Sequence, residues 1–79
     1  MKMDKMTNIV LDFSSTNTNV DIRLIIPESG KIRVSFYDTQ WNEHWNENVW
    51  DLSELGRLLA REGIKISKED AETLKKCAV

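Results

Sequence analysis

Three runs in this chain alternate so regularly between apolar and polar residues that an extended backbone sorts them best. In NIVLDF, Ile9, Leu11 and Phe13 alternate with Val10 and Asp12; in VDIRLII, Val20, Ile22, Leu24 and Ile26 alternate with Asp21, Arg23 and Ile25. In KIRVSFY, Ile32, Val34 and Phe36 alternate with Arg33, Ser35 and Tyr37. Successive side chains of a strand point to opposite faces, so each run has one apolar face and one largely polar face. A sheet made from them is apolar on one side only and needs a cover.

The connections favour hairpins. Between the second and third runs lies Pro27-Glu28-Ser29-Gly30, with Pro suited to the first corner of a type I turn and Gly to the left-handed position after it. The first connection, SSTNTN, is polar, and its Ser and Asn side chains can bond their own backbone. The expectation is a three-stranded antiparallel meander, four-stranded if Val49 and Trp50 add a strand.

The carboxy-terminal half supplies the cover. In DLSELGRLLAREG, Leu52, Leu55, Leu58 and Leu59 share one helical face, Asp51 is placed as N-cap with Glu54 three residues on, and Gly63 is placed to end the helix. Gly56 inside it costs about 1 kcal/mol relative to Ala, which suggests a close approach of the helix backbone to a neighbour. Ser67 and Asp70 form a second capping pair, opening a helix through Ala71, Leu74 and Ala78. The fold class is α+β, a meander covered on one face by two carboxy-terminal helices. Residues 1–7 are expected to be a disordered amino terminus and residues 8–79 a single domain.

Size and composition narrow the function classes. A chain of 79 residues buries only about 60% of the surface its unfolded form exposes. Its 41% hydrophobic and 30% charged content is that of a globular protein. Apolar runs such as Leu24–Ile26 are three residues long, far short of the roughly 20 needed to cross a bilayer, so no membrane partner is expected. The start, MKMDKM, has no apolar core and does not read as a secretory signal, and the lone Cys77 suggests a thiol kept reduced. The expected location is a cytoplasm, its maker's or a host's.

The stretch TQWNEHWNENVW, residues 39–50, holds all three tryptophans and the only histidine. It lies inside the acidic part of the chain. The net charge of −2 divides into five basic and four acidic residues over 1–37, five acids and no Lys or Arg over 38–54, and six basic and four acidic over 55–79. That summed charge argues against the segment gripping a phosphate backbone.

Trp50, beside Val49 and just before the Asp51 cap, reads as a staple-like contact closing the core edge. Trp41 and Trp45, four apart, project from one side of a regular helix or strand. Either both rings fold back over the sheet, or they form an exposed aromatic pair rimmed by Asp38, Glu43, His44 and Glu47, the composition of a protein-binding hot spot.

Catalytic chemistry is thin. His44 with Glu43, Glu47 or Asp38 is a weak metal set without the usual spacings. The glycines at 30, 56 and 63 form no phosphate loop, and the serines suit turns, strand faces and caps better than a nucleophile's role. The expectation is a protein that is not an enzyme and needs no cofactor or metal.

Three readings follow. The first is a small interaction protein of the regulator or inhibitor kind, such as phages and mobile elements encode, docking through residues 38–50. The second is a nucleic-acid binder using Arg57, Arg61, Lys65, Lys68, Lys75 and Lys76 on two helices drawn as a helix-turn-helix, against which stands their interleaving with Glu62, Glu69, Asp70 and Glu72. Its inverse, an acidic surface imitating DNA, rests on the modest acid density of 38–54. The third is a symmetric homodimer, which gives a small chain more buried apolar surface.

Overall fold

The computed structural model describes residues 8–77, so the expected disorder over 1–7 and the place of Ala78 lie outside the described residues. Four strands come first, β1 (Ile9–Ser14), β2 (Val20–Ile26), β3 (Ile32–Asp38) and β4 (Glu43–Val49). Two helices follow, α1 (Leu52–Arg61) and α2 (Lys68–Cys77). The strands form one antiparallel sheet in the order β1-β2-β3-β4, the meander that the alternation implied. The fourth strand is most of the Trp segment, longer than the Val49-Trp50 addition left open by the sequence.

The register explains how so polar a segment becomes a strand. Phe36 pairs with Trp45, Val34 with Glu47 and Ile32 with Val49, while Leu24 of β2 lies opposite both Val34 and Leu11. Trp45 and Val49 therefore continue the apolar rows of β1 to β3. Two apolar residues on the correct parity suffice because β4 is an edge strand, where Glu43 and Glu47 reach water.

The apolar face packs under the helices. Phe13, Ile22, Leu24, Val34, Phe36 and Val49 meet Leu55, Leu58, Ile64 and Leu74 in one core, with Leu11, Trp45 and Leu52 packed at its margin. Among the described residues no polar or charged residue is buried. Helix α1 lies beside β4 and α2 beside β1, so the cover spans the sheet from edge to edge.

The helix ends are built as their sequences indicate. Asp51 Oδ1 accepts the Glu54 backbone N–H at 2.9 Å, and the Glu54 carboxylate accepts the Trp50 N–H. At the other end the Gly63 N–H donates to the Ala60 carbonyl and the Ile64 N–H to the Leu59 carbonyl, with Gly63 at φ +70°. This is a Schellman motif, and it turns Ile64 into the core. Ser67 Oγ accepts the Asp70 N–H at 3.0 Å and opens α2.

The link between the helices is tied to the far end of the sheet. Asn17, in the β1–β2 loop, donates from Nδ2 to the Gly63 carbonyl at 2.9 Å and accepts the Lys65 N–H at 3.0 Å. The Thr16 N–H donates to the Lys65 carbonyl at 2.7 Å. A loop that sequence reading sees only as a turn thus positions the second helix.

Two expectations are corrected. A Cβ added to Gly56 meets nothing within 4 Å, so no close approach requires glycine there. Trp50 does not close the core edge as a staple-like contact; it is 63% exposed, and Lys31 Nζ lies 5.0 Å from its ring centre. Parity is the cause: Val49 points into the core, so the next residue points away from it.

Gly56→Ala is expected to stabilise the fold by about 0.5–1 kcal/mol, read as a higher urea midpoint at unchanged slope. Asn17→Ala, which removes both ties to the connector, should lower stability by about 1–2 kcal/mol in the same measurement.

Candidate functional site

The Trp segment is split by the fold into a turn, an edge and two faces. Its turn, residues 39–42, is held by side chains on both sides. Asp38 Oδ1 accepts the backbone N–H groups of Gln40 at 3.0 Å and Trp41 at 3.2 Å. The Tyr37 hydroxyl donates to Asn42 Oδ1 at 3.1 Å, and Asn42 takes the left-handed conformation at φ +54°, which Asn tolerates better than most residues. The β1–β2 loop adds Asn19, whose Nδ2 donates to Gln40 Oε1 and whose carbonyl accepts from both the N–H and the hydroxyl of Thr39.

Trp41 sits on this braced turn with 69% of its surface exposed, the most exposed large apolar side chain among the described residues. Trp45 is different. It points to the covered side and stacks on Phe36 with ring centroids 5.0 Å apart and an interplanar angle of 16°. The two rings therefore do not form one surface pair, because the turn at Asn42 breaks the regular backbone that would keep residues four apart aligned. Trp45 extends the core; Trp41 faces solvent.

The other predicted residues divide by parity. Glu43 and Glu47 share the covered side with Trp45, at its solvent margin, and Glu47 reaches Arg61 of α1 at 3.7 Å. His44 lies on the opposite, open face, stacked on Tyr37 with centroids 4.3 Å apart. His44 and its two neighbouring glutamates therefore cannot converge, and among the described residues no three of His, Cys, Asp and Glu are placed to hold a metal ion.

The basic residues of the carboxy-terminal half are dispersed. Arg61 is shared between Glu47 and Glu62, at 3.7 and 3.6 Å. Arg57 is exposed on α1; Lys65 is in the connector, and Lys68, Lys75 and Lys76 project from α2 beside Glu69 and Glu72. The two helices lie against opposite edges of the sheet instead of packing as a pair, unlike a helix-turn-helix, in which they form one unit.

Sequence reading missed the open face as a surface in its own right. Among the described residues no helix covers it, and it forms a shallow concavity of about 610 Å³ whose walls include Arg23, Ile25, Ser35, Tyr37 and His44. Asp12 accepts from Arg23 Nε at 2.7 Å and Nη2 at 3.3 Å. That hydrogen bond, with the guanidinium charge behind it, holds the Asp12 carboxyl below its ordinary pKa and raises Arg23. Ser35 Oγ donates to Asn46 Oδ1 at 2.8 Å, and Ser14 Oγ to Asp21 Oδ1 at 3.2 Å. The signal for this face was present in the polar members of each alternation, but only pairing turns them into rows.

Compared with protein-family models, curated proteins and solved structures, the chain matches none.

The division between the two rings sets a clear contrast. Trp45→Ala should cost about 2–4 kcal/mol by removing a ring packed against the core, whereas Trp41→Ala should change stability by less than about 0.5 kcal/mol; thermal or urea unfolding of both variants checks this.

Proposed function

We propose that this chain is a small, non-enzymatic protein-binding module of the regulator or inhibitor kind, acting in a cytoplasm and docking through the β3–β4 turn and the acidic margin of β4. The observation that carries this reading is Trp41. Its backbone is fixed by Asp38, and its turn is tied down by Tyr37 and Asn19, while its indole contributes little to the core. A large aromatic group on a backbone that is already fixed binds with less further loss of conformational freedom than one on a loose loop.

Glu43 begins β4 beyond the turn, and Glu47 lies further along the same side. A partner fitting this surface has an apolar slot for the indole with basic residues around it. The opposite charges speed encounter, and the buried ring slows release. In this reading Trp45 anchors the strand, Asp38 shapes the turn, and His44 belongs to the other face. A second copy of the chain is one protein able to fill the role, and sedimentation at rising concentration separates self-association from a foreign partner.

The test is affinity capture from the source cell's lysate, followed by calorimetry of the purified partner with wild type and Trp41→Ala. The expected result is a folded variant that binds at least about 30-fold more weakly, the loss typical of a hot-spot residue. Equal binding by the variant would remove Trp41 from the interface and overturn the reading.

A further inference from the structure

The acidity of residues 38–54 is an average over both sides of β4, and the two sides differ completely. Glu43 and Glu47 take the covered side with Trp45 and Val49, so the open side receives His44, Asn46 and Asn48, with Trp50 following in the same parity. On β3 the open side receives Arg33, Ser35 and Tyr37, again without an acid. Lys31 and Trp50 extend the same register and meet with Nζ 5.0 Å from the indole centre.

The β3–β4 half of the open face is thus a strip with no carboxylate. It has a stacked pair, Tyr37 on His44, at one end and the exposed Trp50 at the other. Lys31 and Arg33 lie toward the Trp50 end, and the amides Asn46 and Asn48 lie between the aromatic groups. His44 and Trp50 are six positions apart, about 20 Å at the rise of a strand. The face's two acids, Asp12 and Asp21, stand on the β1–β2 half, where Arg23 and Ser14 engage them.

From this arrangement we propose that the β3–β4 half of the open sheet face binds single-stranded RNA. Bases stack on exposed rings whatever their identity, and cations beside the rings take the phosphates. Duplexes offer no free base faces to such a platform, which selects single strands. The Asn48 amide can both donate and accept, and Asn46 can donate from Nδ2 while its Oδ1 holds the Ser35 hydroxyl, which suits the donor and acceptor character of the RNA 2′-hydroxyl. Charge favours the Lys31 and Arg33 end of this half, because the acids of the face stand on β1 and β2, with Asp21 opposite Tyr37. This site does not include Trp41 and does not depend on the protein-binding proposal.

The test is fluorescence anisotropy of a short labelled oligouridine with the full chain, beginning near 50 mM salt. Two phosphate contacts predict that log affinity falls against log salt with a slope of about −1.4. Trp50→Ala should weaken binding about 5- to 150-fold, the range for losing one base stack. The double variant Lys31→Ala with Arg33→Ala should bring the slope near zero, while Trp41→Ala and the double variant Lys75→Ala with Lys76→Ala should bind as wild type does. Circular dichroism checks that each variant folds, and the charge variant keeps the test decisive if Trp50→Ala does not. Absence of binding by wild type would overturn the proposal. So would equal or tighter binding of oligothymidine or duplex, or a loss confined to the α2 lysine variant.

Discussion

An antiparallel sheet with one apolar face cannot remain single-layered in water, and the burial of that face governs the rest of this molecule. Val34 and Leu24 at its centre are almost wholly buried, and the residues that cover them come from beyond the strands: Leu55, Leu58, Ile64 and Leu74. At about 25 cal/mol per Å² of apolar surface removed from water, this layer is the main favourable term available to so short a chain. The caps and loop ties serve the same end. The Schellman turn at Gly63 directs Ile64 into the core, and Asn17 holds the connector so that α2 reaches the β1 side.

The helices satisfy one face, and among the described residues the other has no helix over it. Its side chains pair locally, Arg23 with Asp12 and Ser35 with Asn46, at exposed positions where such contacts add little stability. A sheet face with a stacked ring pair, on which Lys31 and Arg33 meet no carboxylate among the described residues, is therefore a surface whose composition packing does not explain. The turn at Trp41 is a second such place, where several hydrogen bonds fix the backbone that carries a ring the core does not use. Both surfaces meet at β4, whose two sides differ in charge and in chemistry.

Much of the fold was legible in the sequence, and the reason is periodicity. The alternation in β1, β2 and β3 reports each strand and its inward side, and the leucine spacing with Asp51 and Gly63 marks α1 and its ends. β4 was less legible because only Trp45 and Val49 on its covered side are apolar. Without the neighbouring strand to set register, Glu47 and Asn46 look alike. Gly56 was misread for a related reason: a helical glycine records no information about whether a neighbour is near.

The candidate site was legible as a segment but not as surfaces. Composition alone singled out residues 39–50, because three indoles and no Lys or Arg are unusual in such a short stretch. What the sequence by itself determined is which residues alternate, where helices begin and end, and that a one-sided sheet needs a cover. Only the tertiary structure decided that Trp45 belongs to the core while Trp41 and Trp50 face water, and that Glu43 and Glu47 take the covered side of the β3–β4 pair while Lys31 and Arg33 take the open side. The physical reason is that side-chain direction in a strand depends on register, which pairing with β3 and the turn at Asn42 establish together.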